Sequence, residues 1–295
     1  NSEDAVKTYN LNLGAHAHLQ DLTLLPATDL APADILMGGC PCQDFSSSGG
    51  KTGFSGKRGR LYRVLVDYMR EHQPKVVVEE NVPHLARLSQ GHYLKTILKE
   101  FEAEGYKFDV WNLYAPDYGL PQSRRRLFLI GIRNDLEGFA VRPRASHTSN
   151  YISIDKSLAD LEAITDETVT NQSQYFVASK ATAGGGQGDH TNQVGKVAYC
   201  IRANARGRIQ FHYHLPRRLT VRECARLQSF PDEFVFPFST QRNMTLIGNA
   251  VPPILGHHVA VSIANYLTAL TDVALQPEAV AQQRVLPSQA SIFDS

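Results

Sequence analysis

The sequence predicts an α/β fold with a doubly wound, mostly parallel sheet and a smaller, irregular second region. Three observations carry that prediction. Between residues 33 and 133, short apolar runs rich in Val, Ile and Leu alternate with segments whose apolar residues recur at helical spacing, the pattern of βαβ units. The reactive polar residues gather at the C-terminal ends of the apolar runs, where open α/β sheets hold their ligands. From residue 140 to 215 the texture changes to Ser, Thr, Gly, Asn and Gln, and includes the turn-prone Ala183-Gly184-Gly185-Gly186-Gln187-Gly188-Asp189. That stretch reads as a compact irregular domain.

The elements follow in order. Residues 33–39 form a short buried strand that ends in the Gly38-Gly39 turn. Residues 59–72 place Leu61, Val64, Leu65, Tyr68 and Met69 on one helical face, and Pro74 stops the helix. A β-branched strand spans 75–81 and turns polar at Glu79-Glu80-Asn81. A helix around 93–104 and strands at 108–114 and 126–133 continue the alternation. Residues 220–228 form a short helix with Thr220 and Glu223 as a capping box, and a last apolar helix runs from about 254 to 270. The expected division is a first domain over 1–139, a small domain over 140–240, a helix returning to the first domain over 241–275, and a flexible tail over 276–295.

Hydrophobic residues make up 42% and charged residues 20% of the 295, which excludes collagenous, coiled-coil and wholly disordered chains. No run approaches the roughly 20 continuous apolar residues that span a bilayer, so no membrane partner is expected. The first twelve residues have neither a basic start nor an apolar core, so no export signal is expected and the location is expected to be cytoplasmic. Without an initiator Met, the chain is expected to begin inside a longer protein. Cys40, Cys42, Cys200 and Cys224 are too sparse for a disulfide framework, which fits a reducing compartment.

The formal net charge of +1 conceals an asymmetry. Segments 51–70, 122–144 and 195–226 together hold 20 basic and 4 acidic residues, against 10 basic and 25 acidic in the remainder. Converging on one face, the three would form a phosphate-binding surface; dispersed, they are solvated charge.

Two strand ends carry the chemistry. A cysteine just beyond a parallel strand, beside a proline and ahead of a Ser/Gly loop, is placed as a nucleophile is placed. Cys40 and Cys42 could also be metal ligands, but no second Cys/His pair at zinc-like spacing accompanies them, and no metal site is expected. An inert thiol is the remaining reading for either, and it is the preferred one for Cys200 and Cys224. At the second strand end, the Glu80 carboxyl leaves an apolar run partly desolvated, which raises its pKa and lets it share a proton near neutrality.

Pro41-Cys42-Gln43, Glu80-Asn81-Val82, Gln122-Ser123-Arg124-Arg125-Arg126, the run Arg218 to Gln228 with Phe230-Pro231-Asp232, and Gly248-Asn249-Ala250-Val251-Pro252-Pro253 occur in that order. This sequence of motifs resembles the DNA (cytosine-5)-methyltransferases of bacterial restriction-modification type over about residues 1–270. The resemblance implies a Rossmann-like methyltransferase fold whose small domain recognises the target in double-stranded DNA. It implies catalysis by Cys42, which adds to C6 of a flipped-out cytosine, and by Glu80 at N3 and the exocyclic amine. Arg126 is implied at the base carbonyl, and Arg124 in a supporting or phosphate contact. Gln43, Ser46, Ser48, Arg58, Asn81 and Gln187 are implied on the substrate and DNA side, with Ser46, Ser48 and Arg58 in a loop that closes over DNA. Ser48 and Gln187 match residues that fill the space left by the flipped base, although for Gln187 a plain surface loop remains open.

The methyl donor implied is S-adenosyl-L-methionine, with S-adenosylhomocysteine as product. Asp21 matches the acceptor for the adenine amine, Leu22 the side chain packed on the ring, and Asn249 the last wall of the pocket. Nothing upstream of Asp34 supplies the family's first strand and glycine turn; residues 5–12 resemble the helix after its second motif. About 40 residues are therefore expected to precede Asn1, an estimate from the size of a first βα unit. A monomer is expected, with a cognate restriction enzyme as its companion. A catalytically silent DNA-binding relative and a tRNA cytosine-5 methyltransferase stay open as alternatives.

Overall fold

The computed structural model of the protein describes residues 2–40, 61–164, 189–203 and 210–275, with side chains as far as 271. Its elements are α1 (Glu3–Leu13), β1 (Ile35–Gly38), α2 (Tyr62–His72), β2 (Val76–Asn81), α3 (His92–Ala103), β3 (Tyr106–Tyr114), β4 (Arg125–Arg133), α4 (Ile154–Leu158), β5 (His190–Thr191), β6 (Gln210–Phe211), α5 (Val221–Leu227), α6 (Thr240–Asn249) and α7 (Pro253–Leu275). The expected tail lies outside the described residues.

The main sheet has the order β1-β2-β4-β3. β1 pairs with β2 in parallel, whereas β4 runs antiparallel to both β2 and β3. Three strands thus point one way and β4 is inserted between two of them in reverse. The expectation of a mostly parallel sheet holds for strand direction, but the ladders are mixed. Only residues 115–124 separate β3 from β4, too few for the helical crossover that a parallel neighbour requires. β4 must therefore turn straight back, and its apolar run Leu127 to Ile132, almost wholly buried, needs a central position.

Side chains alternate across this sheet with the period of two that strands impose. On one face Val76, Val78, Trp111, Leu113, Phe128, Ile130 and Ile132 pack against Leu255, Val259, Ile263 and Tyr266 of α7. On the other, Val77, Leu127 and Leu129 meet Leu65, Val66 and Met69 of α2 and Leu94, Ile97 and Phe101 of α3. Each such aliphatic side chain contributes roughly 1.5–3 kcal/mol by burial. α2 stops where Gln73 turns left-handed at φ 49° and donates its N–H to Met69 O, with Pro74 next. Gly131 lies opposite Phe108 in the β3–β4 register, and a Cβ there would come within 2.4 Å of the Phe108 ring. The stretch Thr240–Thr271 is long and apolar enough to cross a membrane by composition, with mean hydropathy 1.3, but Pro252 divides it and α7 spends one face on the sheet.

A third cluster forms a separate core from Ile154, Leu158, Ala198, Ile201, Val221, Cys224, Leu227 and Ile247. α6, grouped by sequence with the returning helix, contributes Ile247 to this cluster. The capping box of α5 is present: Thr220 Oγ1 accepts from Glu223 N at 3.1 Å and Glu223 Oε2 accepts from Thr220 N at 2.8 Å. α1 is fastened to the C-terminal half by Asn12, which donates to Val235 O and accepts from Val235 N.

Candidate active site at the carboxyl edge of the sheet

β1 and β2 run in parallel, so their C-terminal ends lie side by side, and β4 begins at the same edge. The period of two sends Glu80 to the α7 face and Glu79 and Asn81 to the α2 face. Glu80 Oε1 meets Arg126 Nε at 2.7 Å, with both side chains more than four-fifths buried. Burial raises the Glu80 pKa, and the positive charges of Arg126 and Arg124 oppose that rise. The result is a carboxyl that can carry or share a proton beside a fixed cation. Gly39 passes close by: a Cβ on it would lie 3.5 Å from Glu80 Oε2, so the backbone just after β1 lies against the carboxyl.

Cys40 is poorly suited to be the reactive thiolate. Burial, then the charge of Glu79, push its thiol pKa far upward, so it stays protonated. Cys224 is fully buried and its pKa is raised for the same first reason, which fits the inert role expected of it. Cys42 lies outside the described residues, as do Gln43, Ser46, Ser48, Arg58 and Gln187.

Two sequence-predicted residues are engaged inside the protein. Asn81 was expected on the DNA side, yet its Nδ2 donates to Cys40 O at 3.0 Å and its Oδ1 accepts from Val82 N at 3.0 Å. With both polar ends used inside the protein, it shapes the turn after β1 instead of reaching DNA. Arg124 is 1% exposed, which excludes the phosphate contact and leaves the supporting one. Its guanidinium donates to Ile201 O at 2.8 Å and to Gly248 O and Ala250 O at 2.9 Å. Gln122, which opens the same motif and had no role assigned from sequence, works beside it, donating to Leu227 O at 2.8 Å and accepting from Ile201 N at 2.9 Å. Together they tie the third core to the sheet.

The predicted donor-binding residues fall in two places. Asp21 and Leu22 line a cleft of about 950 Å³ with Leu25, Arg63 and Asp67. Asp21 Oδ1 accepts from Thr23 N and Thr23 Oγ1, which lowers its pKa; an ionised carboxylate beside the half-exposed Leu22 fits an amine-bearing aromatic ring. Asn249 lines a second cleft of about 730 Å³ with Thr8, Tyr9, Phe230, Phe234 and Phe236. The described residues do not join the two.

Among the described residues, several arginines of the basic segments are already paired within the fold. Arg70 pairs with Glu104, Arg133 with Asp135, Arg217 with Glu223, and Arg226 with Asp160 and Asp232. Arg222 is buried and donates to Pro231 O and Phe234 O. These guanidiniums satisfy carboxylates and carbonyls within the fold, a use that charge counting cannot distinguish from phosphate binding. Arg125 is different. It is exposed at the start of β4, with its guanidinium 4.2 Å from the centre of the Tyr114 ring and no carboxylate partner among the described residues. The triple arginine was the signal, but which member faces outward follows from strand alternation.

Comparison with known proteins identifies the family. The profile of the C-5 cytosine-specific DNA methylases matches residues 1–197 and 166–265. Type II methyltransferase M1.ScrFI of Lactococcus lactis subsp. cremoris is 30% identical over 275 residues, covering 89% of this chain and 70% of that protein. Type II methyltransferase M1.HphI of Haemophilus parahaemolyticus is 32% identical, covering 87% of this chain and 77% of that one. A solved protein encoded within an E. coli prophage superposes with a TM-score of 0.72 at 21% identity, covering 90% of this chain and 91% of its own. The chain belongs to the C-5 cytosine-specific DNA methylases and is a DNA cytosine methyltransferase.

Proposed function

We propose that the protein methylates C5 of a cytosine flipped out of double-stranded DNA, through a covalent bond between Cys42 and C6. The observation that carries this is the Glu80–Arg126 pair, set beside the backbone at Gly39, three residues before Cys42 in the sequence. A base inside a stacked duplex does not expose C6, so extrusion is required, as methyltransferases in general perform it.

Each side chain has one part in the reaction. The Cys42 thiolate donates its electron pair to C6, and the C5=C6 pair becomes available at C5. Glu80 holds N3 and the exocyclic amine as negative charge moves onto the ring. Arg126 faces the base carbonyl, where a fixed guanidinium stabilises the growing charge, and it also keeps the Glu80 carboxyl in place. Arg124 supports both from behind. The methyl donor of the family is proposed to be S-adenosyl-L-methionine, which when bound supplies an electrophilic methyl group. Asp21 would accept from its adenine amine, Leu22 would pack on that ring, and Asn249 would close the far wall. Once C5 has bonded the methyl group, its proton passes to water acting as base, the electron pair left at C5 re-forms the C5=C6 bond, and the C6–sulfur bond breaks to free the Cys42 thiolate.

The proposal includes action on DNA in the cytoplasm, as a monomer beside a cognate restriction enzyme; the Type II names of its relatives support the restriction-modification setting. The test is transfer of labelled methyl groups to duplex DNA by wild type and Cys42→Ala. Wild type should label DNA and the variant should not; an active Cys42→Ala enzyme would refute the covalent route.

A further inference from the structure

Glu79 is a buried carboxyl for which the reaction has no stated use. It is 2% exposed and lies next to Glu80, on the opposite face of β2. Its Oε1 accepts from Cys40 N at 2.8 Å. Asn81, two residues on and therefore on the same face, donates to Cys40 O at 3.0 Å. The two residues flanking Glu80 thus grip both backbone polar groups of one residue, Cys40, which lies two positions before Cys42. Gly38 is shaped for the same contact, since a Cβ there would lie 2.9 Å from Glu79 Oε2 and 2.8 Å from Leu65 Cδ1. Glu79 Oε2 has no hydrogen-bond partner among the described residues. A methylene or amide side chain would fill this position at lower cost, because a buried carboxyl with one oxygen unsatisfied is expensive.

We infer that Glu79 is a positioning residue for methyl transfer, fixing the backbone at Cys40, two residues before Cys42, by its grip on the Cys40 N–H. This rests on the reading of Cys42 as nucleophile. The grip depends on charge, because an ionised acceptor makes the stronger hydrogen bond to an N–H. The groups around Glu79 are few. Cys40 contributes a protonated thiol from the end of β1, Glu80 is its neighbour on β2, Leu65 of α2 and Leu129 of β4 are apolar, and Asn81 is neutral. Burial pushes the Glu79 pKa up to about 7, the Cys40 N–H partly countering it, so the grip tightens across neutrality.

The test uses the full chain and a duplex with 5-fluorocytosine at the target, which arrests the adduct because fluorine at C5 is not lost as a proton is. Adduct formation, kcat and DNA affinity are measured for wild type, Glu79→Gln and Glu79→Ala from pH 6 to 8. Glu79→Ala should form adduct at least tenfold more slowly with DNA affinity unchanged. Glu79→Gln, which keeps an acceptor oxygen, should recover most of that rate. The ratio of wild-type to Glu79→Gln rates should fall as pH falls through 7, because only wild type loses an ionised acceptor at this position. Equal rates and equal pH profiles in all three overturn the proposal, as does equal loss in Ala and Gln. If Glu79→Ala does not fold, the pH-dependent ratio for Glu79→Gln decides alone. If wild type forms no adduct, the role of Cys42 falls, and Glu79 is judged by exchange of the Cys40 amide proton. That exchange should be faster in Glu79→Gln than in wild type at pH 8, and unchanged exchange would overturn the proposal.

Discussion

Glu80 and Arg126 meet diagonally across two antiparallel strands. Glu80 is paired in register with Phe128, and Arg126, two residues earlier on β4, shares that face and brings Nε to 2.7 Å from the carboxyl. Removing either should impair turnover more than folding. Glu80→Gln keeps the shape but cannot deliver a proton, and Arg126→Lys places its charge beyond the Nε position. Each should lower kcat by roughly a hundredfold or more, with melting temperature little changed, as steady-state kinetics beside thermal unfolding would show.

Two buried groups make stability depend on pH in opposite directions. The Glu79 pKa is raised from 4.5 to about 7 by burial, so the native state holds its proton longer than the unfolded chain. Stability is fully present below pH 4.5 and is lost as pH rises through 7, by about 3 kcal/mol at most. Glu79→Gln should abolish that loss. Conversely, burial lowers the pKa of His212 from 6.5 to about 4, while its Nδ1 accepts from His214 N and Leu215 N. Stability from this group is present above pH 6.5 and declines as pH falls toward 4. Denaturant titrations of His212→Gln and Glu79→Gln across pH 4 to 8 would separate the two slopes.

Arg124 should prove structural. Its three carbonyl acceptors are drawn from two separate segments, and one planar guanidinium reaches them all. Arg124→Ala leaves those carbonyls without it and should cost about 3 kcal/mol or more. Arg124→Lys should recover only part, because an ammonium cannot reproduce the fork. Denaturant midpoints check both.

Arg125 should be read in DNA affinity. Its guanidinium, held over Tyr114 and unpaired with any described carboxylate, faces out at the edge where Arg126 faces the site. Arg125→Gln should weaken binding alike for all sequences and flatten the slope of log K against log salt by about one. An unchanged slope would exclude a phosphate contact.

Gly248 tolerates no side chain. A Cβ would stand 2.2 Å from Ala203 N and 2.3 Å from Arg202 C, and backbone on the far side cannot rotate away. Gly248→Ala should separate α6 from the segment at 201–203 and destabilise by several kcal/mol, on the scale of the largest single-residue effects. Thermal unfolding would measure it.

The strands and helices of the sheet region were legible within two or three residues, because apolar periodicity is a local property that each segment carries by itself. The reversal of β4 was not read, although the short connection 115–124 held the clue. Pairing is settled by which partner completes a buried ladder, and that partner lies far along the chain. Likewise the arginines of 122–144 and 195–226 could be counted in sequence, but not sorted. Charge is carried by composition, whereas pairing with Glu223, Asp135 or a carbonyl depends on distance.

By itself, then, the sequence determined the α/β elements, the motif order and the candidacy of Cys42, Glu80 and Arg126, since spacing and residue type suffice for these. Only the tertiary structure decided that Glu80 meets Arg126, that Arg124 and Asn81 serve the scaffold, and that Cys40 is an inert thiol gripped by Glu79. Each of those outcomes depends on burial and on contacts between residues from 39 to 126 positions apart, and desolvation, which separates an inert thiol from a reactive one, exists only once the chain has folded.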